Sequence, residues 1–440
     1  MANHKAALLA KIDAAEARVG IIGLGYVGLP LALAFAEKGF RVIGFDVDQR
    51  KIDALARDVS YIDYLEAARL RAAREAGRLE ATADFARLGE ADAILVCVPT
   101  PLTPQRDPDL SFVLVTAEQI AARLRPGQLI VLESTTYPGT TEEVVKPLLE
   151  RAGLRSGKDF FLAFSPERQD PGNIRFDTAD IPKVVGGTDV DSGDVAEALY
   201  ARAISKTVRV SSAAAAEATK ITENVFRAIN IALVNELKVI YERMGIDIWE
   251  VLDAAATKPF GFMRFDPGPG WGGHCIPLDP FYLSWKARSL EVDTKFIELA
   301  GEINRGMPEY VIGRLQHALN ERSKSIKGSK LLVLGVAYKR DVGDTRESPA
   351  MHILKRLRDL GADVAYHDPH VEALPETRSW PGHPDMRSLA LTPATVGAQD
   401  AVLVVTNHAA VDYDMVAKHA KLIVDSRGMY RGVRANVVKA

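Results

Sequence analysis

The sequence predicts an α/β protein built as two Rossmann-like, doubly wound lobes joined by a long central helix. Three observations carry that expectation. Through the first half, short and continuously apolar segments alternate with amphipathic ones, the pattern of a parallel sheet covered on both faces. From 213 to 244 there is no Gly or Pro, and Ala, Glu, Lys, Leu and Ile dominate, which reads as one helix of about 32 residues. From about residue 330 four further apolar segments recur between polar or helical ones, a second unit of the same type. The expected boundaries are 1–212, 213–322 and 323–440.

In chain order, the N-terminal MANHKAALLAKIDAAEARVG is broken by Lys5, Lys11, Asp13 and Glu16, which suits a short amphipathic helix better than a signal segment. Strands are expected at 18–24, 41–46, 93–99 and 128–133, with helical spacing of apolar residues between them, for example at 29–38. Two further short strands of this sheet are expected at 160–165 and 183–186. Gly245 stops the long helix, as a glycine after the last periodic residue does. In the last part KLLVLGVAY, DVAYHDP, AVLVVTN and KLIVDSRG are the strand segments.

Composition limits the function classes. The 440 residues carry 55 Lys and Arg against 58 Asp and Glu, a net charge of −3, which argues against a broad basic face for nucleic acid. The only cysteines are Cys97 and Cys275, so there is no disulfide framework, and no Cys/His spacing suits a metal. No apolar run reaches the eighteen or so residues of a membrane span. A reducing cytoplasm is the expected home. The long helix suggests a homodimer or a larger homo-oligomer.

Gly23, Gly25 and Gly28 give the G-x-G-x-x-G spacing where a strand passes into a helix. The first allows the tight turn, the second lets backbone approach a pyrophosphate, and the third lets helix and strand pack closely. The helix N-terminus then presents free N–H groups to an anion. Asp46 ends the next strand, 18 residues beyond Gly28, where a carboxylate accepts from an adenosine ribose hydroxyl and repels a 2′-phosphate. The expected cofactor is therefore NAD. The second α/β unit has only Gly335 after its first strand and lacks this fingerprint.

A glycine-rich, aperiodic loop runs from 265 to 280 and contains His274 and Cys275. Asp279 and Pro280 read as the N-cap and first residue of a helix, so Cys275 precedes a helix start whose dipole favours a thiolate. A cysteine nucleophile beside NAD suggests one chemistry: an aldehyde trapped as a thiohemiacetal and oxidised to a thioester. Cys97, inside an apolar strand, reads as a packing residue. On the long helix Lys220 and Asn224 share one face, and Glu217 lies on the same side.

These pieces, taken with GLGYVGLP at 23–30, CVPTP at 97–101, STTYPGTT at 134–141, SPER at 165–168, ATKITEN at 218–224, GGHCIPLDP at 272–280 and AYKRDVGDTRESP at 337–349, resemble the UDP-glucose/GDP-mannose dehydrogenase family from about residue 18 to about 428. The resemblance implies oxidation of a sugar C6 hydroxyl to a carboxylate with two NAD⁺ and one water. It implies Cys275 as nucleophile, Lys220 and Asn224 as oxyanion and substrate contacts, Glu167 as acid/base in thioester hydrolysis, and Asp279 and Thr135 as groups that position water or protons. On the cofactor side it implies Gly23, Gly25, Tyr26, Val27, Gly28, Asp46, Lys51, Pro99, Thr100, Ser134 and Arg346. The substrate side would comprise Arg168, Arg264, Gly270, Gly272, Gly273, Tyr338 and Lys339 besides Lys220 and Asn224.

Departures from the glucose pattern point to the substrate. GGHC stands where glucose and GDP-mannose types tend to have GGSC, and Pro171 replaces an acid that touches NAD in the glucose type. PERQDPGN at 166–173 and KPFGFM at 258–263 resemble the UDP-N-acetyl-hexosamine branch, and its N-acetylglucosamine members most closely. UDP-N-acetylmannosamine and UDP-glucose are the alternatives. A silent nucleotide-sugar-binding protein would keep the glycine loop and lose Cys275, Lys220, Asn224, Glu167 and Asp279, all of which are present.

Overall fold

A computed structural model describes residues 4–62, 65–103, 105–168, 178–273, 275–377 and 380–440. The chain divides into two compact units, one of Met1–Glu223 with Trp285–Glu291, the other of Asn224–Ser284 with Val292–Ala440. The helix Ala213–Arg243 spans that division: its first part, with Lys220, belongs to the first unit and the rest, with Asn224, to the second. It ends one residue before the expected limit, and Gly245 follows with a φ of 72°, a left-handed conformation that suits glycine.

The first unit holds an eight-stranded sheet: β1 (Arg18–Ile22), β2 (Arg41–Phe45), β3 (Leu79–Thr82), β4 (Ala93–Val96), β5 (Leu129–Leu132), β6 (Phe161–Phe164), β7 (Lys183–Gly187) and β8 (Thr207–Arg209). Their order is β3-β2-β1-β4-β5-β6-β7-β8, so the direction of winding reverses between β1 and β4. Alternate residues feed opposite faces. Val19, Ile21, Leu95, Val131 and Ala163 enter one core with the helices Gly28–Glu37 and Val190–Ala203, whereas Ile22, Ile94, Ile130 and Leu162 enter another with Ser111–Ala121. Burial on both faces is why these strands read as unbroken apolar runs.

Direction is where the sheet departs from the expected parallel pattern. β7 belongs to the sheet as expected but runs antiparallel to β6, pairing Ala163 with Gly187 and Phe164 with Gly186. Its first residue therefore lies at the carboxyl edge, where the ends of β4, β5 and β6 also lie. β8 and β3 were not legible as strands.

The second unit carries β9 (Lys330–Leu334), β10 (Asp363–His367), β11 (Ala401–Val404), β12 (Ile423–Asp425) and β13 (Val437–Lys439), all parallel, in the order β10-β9-β11-β12-β13. Four are the expected strands and β13 is an addition. The helices Ile248–Ala255, Asp279–Arg288 and Lys295–Asn320 fill the stretch before β9. No described helix is long and apolar enough to cross a membrane.

Candidate active site

The loop after β1 is shaped by its glycines. Gly23 has a φ of 93°, and a Cβ there would meet the Cys97 carbonyl oxygen at 2.4 Å. A Cβ on Gly28, the first residue of Gly28–Glu37, would lie 1.9 Å from the Gly23 carbonyl oxygen. Gly25 is different: nothing lies within 4 Å of where its Cβ would be. Two glycines are thus required by packing, while the middle one leaves an open approach at a helix N-terminus, which fits a pyrophosphate.

Asp46 follows β2 and is buried. Its carboxylate accepts from the Leu24 N–H at 2.8 Å, the Asp48 N–H at 2.9 Å and the Lys51 ammonium at 2.7 Å. A carboxylate has about four lone-pair sites, so one is left for a ribose hydroxyl. Lys51 is thereby fixed by Asp46, and Tyr26 of the same loop is 37% exposed.

Other expected residues of this unit follow the carboxyl ends of the parallel strands. The Thr100 hydroxyl, beyond β4, donates to the Thr135 carbonyl at 2.7 Å, and the Ser134 hydroxyl, beyond β5, donates to the Val98 carbonyl at 2.7 Å. The exposed Pro99 lies between. Beyond β6 stand Glu167 and Arg168. The Arg168 guanidinium donates to the Pro182 carbonyl at 2.8 Å and pairs with Glu223 at 2.6 Å.

Three residues absent from the sequence-derived set, Lys183, Glu133 and Tyr200, join them. Lys183, buried at the start of β7, donates to Glu133 at 2.5 Å and to Glu167 at 3.4 Å. The Tyr200 hydroxyl donates to the other oxygen of Glu133. Cys97 packs against this core and its thiol is pushed up by burial, in keeping with a packing role.

Lys220 is buried on the long helix. Glu217, one turn before it, is wholly buried and serves structure: it accepts from the Gly139 N–H at 2.6 Å, the Thr141 N–H at 2.9 Å and the Thr141 hydroxyl at 2.7 Å. Burial pushes its carboxyl up to about 7 even so. The turn that it holds belongs to the STTYPGTT segment.

In the second unit, the Asn224 amide donates to the Asp279 carboxylate, and the Arg227 guanidinium donates to the Asn224 carbonyl oxygen. Asp279 is buried and is the first residue of the helix Asp279–Arg288 rather than its cap. The Cys275 carbonyl accepts the Leu278 N–H at 3.1 Å and the Asp279 N–H at 2.8 Å, setting the half-buried Cys275 one turn before that helix. His274, Gln169, Asp170, Pro171, Gly172 and Asn173 lie outside the described residues.

The glycines before Cys275 are fitted to the loop after β9. Cβ atoms on Gly272 and Gly273 would meet the Tyr338 side chain at 2.7 and 2.9 Å, and the Gly273 N–H donates to the Arg346 carbonyl at 3.2 Å. Gly270 adopts a φ of 124°. Lys339 adjoins Tyr338 in that loop. The Arg346 guanidinium grips Asp344 at 2.6 and 2.9 Å, and Arg264 bridges Asp253 at 2.6 Å and Asp266 at 2.9 Å.

Among the described residues, Asp341, His370 and His408 form the one group with metal-ligand spacing. His408 bonds Asp368 through Nε2 at 3.0 Å, and its Nδ1 accepts the Asp341 N–H at 3.0 Å. That leaves its ring no lone pair for an ion.

The chain matches the UDP-glucose/GDP-mannose dehydrogenase family in three successive parts: the NAD binding domain over residues 17–204, the central domain over 214–306 and the UDP binding domain over 332–432. The chain belongs to this family. It is an NAD-dependent nucleotide-sugar dehydrogenase. Over 398 residues it is 37% identical to a UDP-N-acetyl-D-glucosamine 6-dehydrogenase from Pseudomonas aeruginosa, covering 89% of this chain and 91% of the relative. Over 420 residues it is 33% identical to a UDP-N-acetyl-D-mannosamine dehydrogenase from Pyrococcus horikoshii, covering 94% and 96%. The solved structure of the UDP-D-ManNAc dehydrogenase from Pyrococcus horikoshii superposes with a TM-score of 0.87 at 32% identity, covering 96% of this chain and 98% of that one.

Proposed function

We propose that this dehydrogenase oxidises the C6 hydroxyl of UDP-N-acetylglucosamine to the carboxylate in two steps, through a thiohemiacetal and then a thioester on Cys275. The overall balance is one alcohol, two NAD⁺ and one water giving one acid, two NADH and two protons. The Gly23–Gly28 loop and Asp46 would hold NAD⁺, which would supply the hydride acceptor for each oxidation.

The observation that carries the reading is the setting of Cys275. It is a half-buried thiol on a glycine-rich loop one turn before a ten-residue helix, with the Asn224–Asp279 pair anchoring that helix start. The positive end of the helix favours the thiolate that attacks an aldehyde carbon. Lys220 supplies a buried cation for the oxyanion of each tetrahedral state. Asn224 orients the sugar oxygen, and Asp279 and Thr135 hold water or a proton. In the last step Glu167 takes a proton from water as the water oxygen bonds to the acyl carbon, and the C–S bond breaks to return the Cys275 thiolate. On the substrate side we assign Arg168, Arg264, Gly270, Gly272, Gly273, Tyr338 and Lys339, and on the cofactor side Lys51, Pro99, Thr100, Ser134 and Arg346. The acid would serve polysaccharide synthesis, and the enzyme would act as a homo-oligomer in the cytoplasm.

The Pseudomonas aeruginosa relative and the PERQDPGN and KPFGFM segments support the glucosamine substrate. The likeness to the Pyrococcus horikoshii mannosamine enzyme favours a second reading with the epimeric sugar. The test is NADH formation by the purified protein with NAD⁺ and a panel of UDP-N-acetylglucosamine, UDP-N-acetylmannosamine and UDP-glucose. The highest kcat/KM with the first sugar and two NADH per sugar are expected. Preference for another sugar overturns the substrate, and one NADH per sugar with release of aldehyde overturns the thioester.

A further inference from the structure

We propose that Lys183 is the positioning residue for Glu167, an ammonium shared by Glu167 and Glu133 but drawn toward Glu133, so that Glu167 is held in place yet stays basic enough to accept a proton from water. The proposal rests on the reading of Glu167 as the water-activating carboxylate.

The fold supplies this arrangement through β7, which with its parallel neighbour β8 runs against the rest of the sheet. The β6–β7 register pairs Phe164 with Gly186, and three residues further along the same register sets Glu167 opposite Lys183. Because β7 runs backwards, its first residue stands at the carboxyl edge beside the ends of β4 and β5. Cys97 and Glu133 follow those strands directly. A lysine opening a parallel strand would instead stand at the opposite edge, away from every expected catalytic group of this unit.

The contacts are unequal in a way that matters chemically. Glu133, whose side chain is fully buried, receives Lys183 at 2.5 Å on one oxygen and the Tyr200 hydroxyl on the other. Glu167 receives Lys183 only at 3.4 Å, together with the Arg168 N–H at 2.8 Å on its other oxygen. Two carboxylates thus share one ammonium, which stands closer to Glu133. Burial raises the Glu133 carboxyl while the Lys183 ammonium and the Tyr200 hydroxyl favour its charged form, and a proton taken up by Glu167 leaves Glu133 and Lys183 as a neutral pair in a buried site. Burial pulls the Lys183 ammonium down, but Glu133 and Glu167 outweigh it, so the cation stays charged. Among the described residues, the other titratable groups facing Lys183 are the Tyr200 and Cys97 side chains, both pushed up by burial and so neutral at physiological pH. The Arg168 guanidinium is turned to Pro182 and Glu223.

Each acid therefore has its own part. Without Glu133, Lys183 would close on Glu167, and a direct ion pair lowers a carboxylate by about one to three pH units. Without Lys183, the two carboxylates would repel, and the pKa of Glu167 would rise.

The test is the pH dependence of acyl-enzyme hydrolysis in a single turnover of UDP-N-acetylglucosamine, measured on the full-length enzyme and its variants. Glu133→Gln should move the acidic limb down by about one unit, Lys183→Met should move it up by about one unit or more, and Lys183→Arg should return it close to the parent. Unmoved limbs, or shifts of one sign in both variants, overturn the proposal. Should Lys183→Met fail to fold around an unpaired Glu133, Lys183→Met with Glu133→Gln removes both buried charges. It is expected to form NADH in a burst and to hydrolyse the acyl-enzyme at least about tenfold more slowly, and parental hydrolysis overturns the proposal. Glu167→Gln separates the two claims. If it hydrolyses the acyl-enzyme at the parental rate, the reading of Glu167 fails and Lys183 has no base to position. If it stalls while the Lys183 and Glu133 variants keep the parental limb, the positioning claim alone fails.

Discussion

Alanine at Gly25 and at Gly28 should have opposite consequences, although the two residues stand three apart in one loop. Neither has a positive φ, so alanine is compatible with the backbone at both positions and the difference lies in what the methyl meets. At Gly28 it would sit 1.9 Å from the Gly23 carbonyl oxygen and 3.1 Å from the Ile21 side chain. Ordinary contact is about 3.4 Å, and the oxygen belongs to backbone that a second glycine holds against Cys97, so helix and strand must separate. Overpacking of that severity costs about 3 kcal/mol or more, which lowers the melting temperature of a unit of this size by about 6–12 °C. At Gly25 nothing lies within 4 Å, and the methyl enters open space. Stability should stay within about 0.5 kcal/mol of the parent, or rise slightly as the unfolded chain loses freedom. The pyrophosphate approach, however, is lost, and NAD⁺ affinity should fall at least tenfold, about 1.4 kcal/mol. Thermal unfolding without ligand and a fluorescence titration with NAD⁺ read the two effects separately. Parental NAD⁺ affinity in Gly25→Ala, or destabilisation equal to that of Gly28→Ala, would refute the assignment of Gly25 as the point of cofactor approach.

Two further predictions concern buried ionisable groups. Glu217 is raised by burial from 4.5 to about 7, so the folded chain keeps a proton that the unfolded chain releases between those values. The parent should therefore lose up to about 3 kcal/mol of stability as pH rises through that window, with no further change above it. Glu217→Gln lacks this dependence, and urea unfolding at pH 5 and pH 8 checks it: equal slopes in the two proteins would contradict the account. Lys238 is buried between the rings of Tyr310 and Trp249, at 5.1 and 5.4 Å from their centroids, with no hydrogen-bond partner for its ammonium among the described residues. Burial lowers it from 10.5 to about 7, so the parent should gain stability as pH rises between those values and lose it as pH falls back toward 7. Lys238→Met should be more stable than the parent at pH 7 by about 2 kcal/mol, read by the same urea method, and an equal or lower stability would count against the buried ammonium.

How much of this was legible depends on how local the signal is. β1, β2, β4 and β5 are short apolar runs buried on both faces, and the three glycines recur at a fixed spacing within six residues, so both can be read from the chain alone, although the carbonyl that requires Gly23 belongs to the distant Cys97. β3 has one fully buried residue in four, and β8 and β13 are three residues long with none, so no apolar pattern marks them. The direction of β7 leaves no trace in KVVGG, since a buried strand carries the same residues either way. Lys183 was missed for the same reason: its partner Glu133 lies 50 residues away, and only the antiparallel pairing joins it to Glu167. A trace existed, in that one lysine opens an otherwise apolar strand and one glutamate follows another. Glu217 was grouped with Lys220 on helical spacing, which fixes a shared side of the helix but not the neighbour that the side meets. That neighbour is the turn at Gly139–Thr141, known only once the chain is folded.

The acyl group proposed on Cys275 is measured most directly by the intact and peptide masses of Glu167→Gln after rapid mixing with UDP-N-acetylglucosamine and NAD⁺. A burst of two NADH per active site and then a stall are expected, with the added mass of the nucleotide-sugar acyl group on the peptide that contains Cys275. Two NADH formed with free uronic acid and no adduct on that peptide would contradict the thioester on Cys275.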